Sequence, residues 1–162
     1  MRINKKGFTL IELLAVIIVL AVVTLLAVQA ILPQVDKARK NAFVVEANNA
    51  IEAAKQYYGT QELENPDAVS GECVCIPIAT LKDSGYYETS GTYSGCVKIK
   101  KENGIVKDYY VELDNRSYKT SSIHKGKITT ADANKSSGAA VVAATSTAIA
   151  DCSTSSCTCP TS

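Results

Sequence analysis

Residues Phe8–Leu32 read FTLIELLAVIIVLAVVTLLAVQAIL, a block whose only polar side chains are Thr9, Glu12, Thr24 and Gln29. At 1.5 Å per residue it makes a helix of roughly 37 Å, enough to cross a hydrocarbon core of about 30 Å. The alternative is a buried core helix. It fails on area, because side chains that are apolar all round need cover on every side and the rest of the chain is too small to supply it. Over all 162 residues the composition is 46% hydrophobic and 20% charged, the ordinary balance of one globular domain. That average hides a polarity, since the apolar weight sits in this block while Ser121–Ser162 is dominated by Ser, Thr, Ala and Gly.

Arg2, Lys5 and Lys6 precede the block and favour a cytoplasmic N-terminus with an exported C-terminal region. Lys37, Arg39 and Lys40 follow it, offset by Asp36 alone, so charge bias leaves the direction open. The cysteines decide: six in a small domain read as a disulfide framework in an oxidising, exported compartment. Net charge excludes a binder that works by bulk electrostatics. Without the first seven residues, 14 basic side chains face 16 acidic ones.

At the front of the block stands Lys5-Lys6-Gly7-Phe8-Thr9-Leu10-Ile11-Glu12-Leu13-Leu14. A carboxylate near the centre of a membrane helix costs of order 2.5 to 3.5 kcal/mol, so Glu12 calls for a partner. Near the helix start it also reaches the interface and is favoured by the positive end of the helix dipole. The segment resembles the class III leader of type IV prepilins and pseudopilins, with every element at the family spacing. The resemblance implies that a prepilin peptidase cuts between Gly7 and Phe8, that Phe8 becomes the N-methylated first residue, and that Glu12 pairs with the N-terminal amine of a neighbouring subunit. That amine, with a pKa near 8, is largely cationic at neutral pH, and methylation keeps its charge. An ordinary secretory signal cut after Val28-Gln29-Ala30 is the rival, but the apolar stretch exceeds the usual core of about 7 to 15 residues. Many members of the family bend at a proline where this chain has Gln29. Here Pro33 lies one turn further on, and the kink is expected there.

Beyond Pro33 no Gly or Pro occurs before Gly59, and Phe43, Ala47, Ala50, Ala54 and Tyr57 recur at spacings of three and four. This pattern predicts one helix from about Phe8 to Tyr58, lipid-soluble in its first half and amphipathic in its second, with Gly59 as C-cap. Residues 60–72 read as a loop, and Ile76 to Gly85 as a short helix. Tyr93–Lys100 and Ile105–Leu113 alternate as strands around the hairpin signal Asn103-Gly104, and a third strand is expected over Arg116–Thr120. The expected fold is α+β, a long N-terminal helix on a small antiparallel sheet with a disulfide-stapled C-terminal region. The expected organisation is a leader at 1–7, a membrane and filament-core helix at 8–32, its amphipathic half at 33–58, a head at 59–120, and a Cys-containing tail at 121–162. Periodicity leaves the tail open between a surface arm and a final strand.

Cys73, Cys75, Cys96, Cys152, Cys157 and Cys159 allow fifteen pairings. Bridges within Cys73/Cys75 or Cys157/Cys159 strain disulfide geometry, so at least one bridge is expected between the tail and the Cys73, Cys75 and Cys96 region. Zinc is disfavoured by the Cys-x-Cys spacing and by the lone histidine, His124, read as a solvated loop residue. No metal and no cofactor is expected. Lys98, Lys100 and Lys101, with Lys107, offer DNA phosphates a contact, but a lysine-protected sheet edge is the preferred reading. Asn115-Arg116-Ser117 and Asn134-Lys135-Ser136 match the short N-glycosylation pattern. Nothing here forms a nucleophile elbow, a phosphate loop or an acid/base pair, so an enzyme is not expected.

The function implied by the resemblance is structural: a filament subunit for adhesion, surface motility or aggregation, held in the membrane first and then exposed on the cell surface. Its partners would be the peptidase, an inner-membrane assembly platform, copies of itself and other pilins. A pseudopilin of a type II secretion-like apparatus, a DNA-uptake pilin and a tethered domain that never polymerises are the competing readings.

Overall fold

In the computed structural model, residues 9–120, 124–135, 139–144, 152 and 157–160 are described. The chain divides into two units, Met1–Ala38 and Arg39–Ser162. Helix α1 (Leu10–Glu64) takes in nearly all of the first and opens the second.

In the first unit α1 has no covered face among the described residues. Leu10, Ile17, Leu20, Leu25, Leu26 and Leu32 are all exposed, as expected of a helix whose solvent is not water. The helix is long and apolar enough to cross a membrane. Thr24 returns its hydroxyl to the Leu20 carbonyl at 2.7 Å, which removes a polar group that lipid cannot satisfy.

The second unit is a helix laid on one antiparallel sheet of six strands. After α1 come a 3₁₀ turn (Pro66–Val69), β1 (Cys73–Pro77), α2 (Ile78–Asp83), β2 (Ser94–Glu102), β3 (Ile105–Asp114), β4 (Tyr118–Thr120), β5 (His124–Lys125), α3 (Thr130–Ala133) and β6 (Val141–Ala143). The strand order is β1-β2-β3-β4-β6, with β5 paired to β3. Phe43, Ala47, Ala50, Ile51, Ala54 and Tyr58 bury the lower face of α1. Three alanines on that face let the helix backbone approach the sheet closely. Against them stand Val74 and Ile76, Val97 and Ile99, and Val111 and Leu113, the alternate residues of the three longest strands. The opposite face carries Cys73 and Cys75, then Cys96, Lys98 and Lys100, then Asp108, Tyr110 and Glu112.

The β2–β3 hairpin turns on Asn103 and Gly104, with φ of 54° and 78°, the paired positive angles of a type I′ turn. Gly95 has φ 119°, and a Cβ there would run into the Glu112 carbonyl. Only glycine lets β2 lie this close to β3 at that point.

Several boundaries differ from those expected. Helix α1 runs through Gly59 to Glu64, because glycine tolerates helical angles where neighbours are held, here by Tyr58 in the core and by its hydroxyl on Glu62 at 2.9 Å. It stops at Asn65, whose backbone (φ −147°, ψ 72°) has left the helical region that a following proline disfavours. Residues 60–72, read as a loop, thus include the last helical turn and the 3₁₀ turn. The helix expected from Ile76 is two elements: Cys73–Pro77 pairs with β2, and the helix begins only after Pro77. His124 lies in β5 opposite Val111 and not in a loop. The head also extends past Thr120: Ile128, Ala133, Ala140 and Val141 are buried in the core, and β6 pairs with β4. Asn48 of α1 holds this added segment by donating to the Ile128 carbonyl and accepting its N–H, both at 2.9 Å.

Candidate processing and assembly site

Gly7 and Phe8 lie outside the described residues. Immediately after them the chain enters α1 through a capping box. The Thr9 N–H donates to Glu12 Oε2 at 2.9 Å, the Thr9 hydroxyl donates to the same oxygen at 2.8 Å, and the Glu12 N–H returns to Thr9 Oγ1 at 3.4 Å. Two amide donors that a helix start leaves open are satisfied reciprocally. The carboxylate at the head of the apolar helix therefore has a partner within its own chain. Sequence reasoning overlooked this, although Thr9-Leu10-Ile11-Glu12 has the Thr-x-x-Glu spacing that announces such a cap before an apolar run. Pro33 lies inside α1, which stays helical through it.

Residues 2–28 match the family model described as the prokaryotic N-terminal methylation motif. The chain is prepilin-like. Its leader is of the class III type, typical of type IV pilins and pilin-like proteins, and its helix-on-sheet fold with a disulfide-bonded C-terminal region is pilin-like as well. No curated protein and no solved structure matches the chain. The motif implies processing by a prepilin peptidase, and an apolar helix behind it implies a membrane-anchored precursor. Proteins with this leader are generally structural subunits and not enzymes.

Three bridges tie the tail of the pilin-like head to its sheet: Cys73–Cys159, Cys75–Cys157 and Cys96–Cys152. The first two run antiparallel, each with Cα atoms 5.6 Å apart, so the Cys157–Cys159 segment is laid alongside β1 residue for residue. The loops closed span 86, 82 and 56 residues. For such loops chain entropy assigns about 4 kcal/mol to a single bridge, and the three are not additive, because each shortens what the next can close.

The lysines do not form one patch, and they do not line an edge. Strand β2 lies between β1 and β3. Lys98 and Lys100 project from the outer face, whereas Lys101 turns to the helix side, donates to the Val69 carbonyl at 2.7 Å and sits 5.6 Å over the Tyr58 ring. Lys107 shares Glu102 with Lys100. The asparagines of both glycosylation patterns make local hydrogen bonds, Asn115 through its oxygen and Asn134 through its nitrogen. Asn115 Oδ1 accepts the N–H groups of Ser117 and Tyr118 at 3.1 and 2.7 Å, and Asn134 Nδ2 donates to Asn41 Oδ1 and to the Thr130 carbonyl.

Titratable groups in the head serve packing. Burial, with a hydrogen bond to Glu62, pushes the Tyr58 hydroxyl up to about 12, and burial raises Tyr87 further while it donates to Glu46 Oε2 at 3.0 Å. Lys127 and Lys55 hold the Glu52 carboxyl below the usual range and so join α1 to the segment after β5.

Proposed function

We propose that the chain is a structural subunit of a type IV pilus or pilus-like filament, cut between Gly7 and Phe8, methylated at Phe8 and assembled through α1. The observation that carries this reading is a methylation motif that runs from the basic leader into a helix whose apolar side chains are exposed on all sides. Lipid covers such a surface before assembly, and neighbouring copies of the same helix cover it afterwards. Glu12 keeps its place in lipid by accepting from Thr9. Both of those bonds fall on Oε2, and in the filament the other carboxylate oxygen takes the methylated amine of a neighbouring Phe8. Copies of the chain, other pilins and an inner-membrane assembly platform are the partners, and the surface of the cell is the destination. Adhesion, motility and aggregation are the roles open to such a fibre. A secretion pseudopilus uses the same parts and differs in fibre length. DNA uptake draws least support, because the lysines that would serve it point to two faces of the sheet.

The test is the mature chain itself. Intact mass should correspond to a start at methylated Phe8, and Glu12→Ala should leave trimmed protein in the membrane while sheared surface fibres are lost. A start at Ile31, or normal fibre yield from Glu12→Ala, overturns the reading.

A further inference from the structure

In the sequence, the one-residue gap of Cys-x-Cys places too few ligands on one segment to hold zinc. The fold brings two such segments together. Cys73 and Cys75 sit two apart on β1 and so share the outer face of the sheet, and Cys157 and Cys159 lie antiparallel to them. The sulfurs of Cys73, Cys75 and Cys157 all lie within 4.8 Å of one another, and the fourth is bonded to Cys73. Between the two bridges, Cys157 Sγ approaches Cys73 Sγ to 3.3 Å. A tetrahedral zinc–thiolate centre with bonds of about 2.3 Å needs sulfurs about 3.8 Å apart. Three of the sulfurs thus lie close together with the fourth bonded to one of them, so opening the two bridges frees four thiols on two facing segments, near enough to converge on one ion. Its charge is matched too. Lys100 pairs with Cys73 and Lys98 with Cys75 across the β1–β2 ladder, so two cations flank a centre that would carry two net negative charges. The third bridge stands apart, with Cys96 wholly buried and outside this group of sulfurs.

We propose that Cys73, Cys75, Cys157 and Cys159 form a redox-dependent site for a soft divalent metal, zinc by ligand chemistry, occupied when the two bridges are open and emptied when they close. In the opening direction each bridge takes two electrons and two protons from a dithiol, which becomes a disulfide. Zinc then displaces four protons to solvent as the four thiolates bind. In the closing direction two equivalents of a disulfide oxidant accept the four electrons and take four protons from solvent to become thiols, the two bridges re-form and zinc leaves as the free ion. The metal thereby holds the tail on β1 before oxidation, with Cys157 beside Cys75 and Cys159 beside Cys73, so that closure gives the observed pairing out of the fifteen available.

Cobalt reports the site without any assay of fibres. The full chain in detergent is reduced with a phosphine, freed of reductant without air, and titrated with Co²⁺. The expected result is saturation at one equivalent, with thiolate-to-cobalt charge-transfer bands and the ligand-field bands of a tetrahedral tetrathiolate, both removed by an equivalent of Zn²⁺. Oxidised protein should show none of these bands. Cys157→Ser and Cys159→Ser should each weaken binding by more than about 100-fold, beyond what loss of an outer-shell partner costs. Cys152→Ser should bind as the reduced wild type does, and far-UV circular dichroism should show the zinc-loaded reduced chain folded. Absent charge transfer, full binding in Cys157→Ser, equal loss in Cys152→Ser, or an unfolded chain in the presence of zinc would each overturn the proposal.

Discussion

The cap that Glu12 forms and the pairing proposed for it can be separated by one substitution. As the third residue of a capping box its side chain needs only an acceptor, which glutamine supplies nearly as well. As the proposed partner of an amine in lipid it needs charge. Glu12→Gln should therefore keep the helix start intact, seen as unchanged helicity of the detergent-solubilised protein, and yet lose fibres as completely as Glu12→Ala. Fibres from the glutamine variant would show that Glu12 acts through Thr9 alone. Gly95 is the corresponding residue in the head. Any side chain there meets the Glu112 carbonyl in a left-handed backbone region, so Gly95→Ala should destabilise the head by at least about 2 kcal/mol, read as a lowered urea midpoint.

Helix α1 is one element in two solvents. Its first part leaves its apolar side chains exposed among the described residues, and its second part meets Val97, Ile99, Val111 and Leu113 through a face thinned by alanines. Pro33 falls where neither environment holds the backbone on every side, and it lacks the N–H that would close the turn behind it. We place the bend or local opening of the assembled helix at this turn. Hydrogen exchange on intact fibres should find the amides just around Pro33 faster than those of the apolar block, and Pro33→Ala should slow them. Equal protection on both sides of Pro33 in the unaltered fibre would remove the proline from that role.

Across the whole head, the segment after β5 is joined to α1 by Asn48 and by the Lys127–Glu52 pair at 2.9 Å. The folded chain holds Glu52 below the carboxylate range, so the pair contributes stability that is complete above the unfolded pKa of about 4.3 and fades as pH falls through the lower folded value. The pair lies near solvent, so its share is small. Acid unfolding should lose a shallow component below about pH 4 in Lys127→Ala, and salt should diminish the difference between variant and parent. An identical pH profile for the two proteins would leave the hydrogen bonds of Asn48 as the working connection.

Local pattern alone determined the long helix, the α+β class, the β2–β3 hairpin and the prepilin leader, because each is written in neighbouring residues: an unbroken apolar run, a 3.6-residue period, Asn103-Gly104 with alternating flanks, and Gly7-Phe8 with Glu12 at its fixed distance. The Thr9–Glu12 cap is legible as well, in the Thr-x-x-Glu spacing before an apolar run. Tertiary structure decided what depends on residues far apart. A five-residue strand such as β1 has no period long enough to announce itself, and only β2 pairing selects it over helix. Gly59 stays helical because Tyr58 is anchored in a core that the pattern cannot display. Residues 124–144 look like a tail because their composition is plain, yet Ile128 and Val141 complete the core once α1 and β4 are in place. The pairing of six cysteines is the extreme case: sequence restricts it only through strain, while a strand that sends every second side chain to one face places Cys73 and Cys75 together and meets a tail with the same two-residue step.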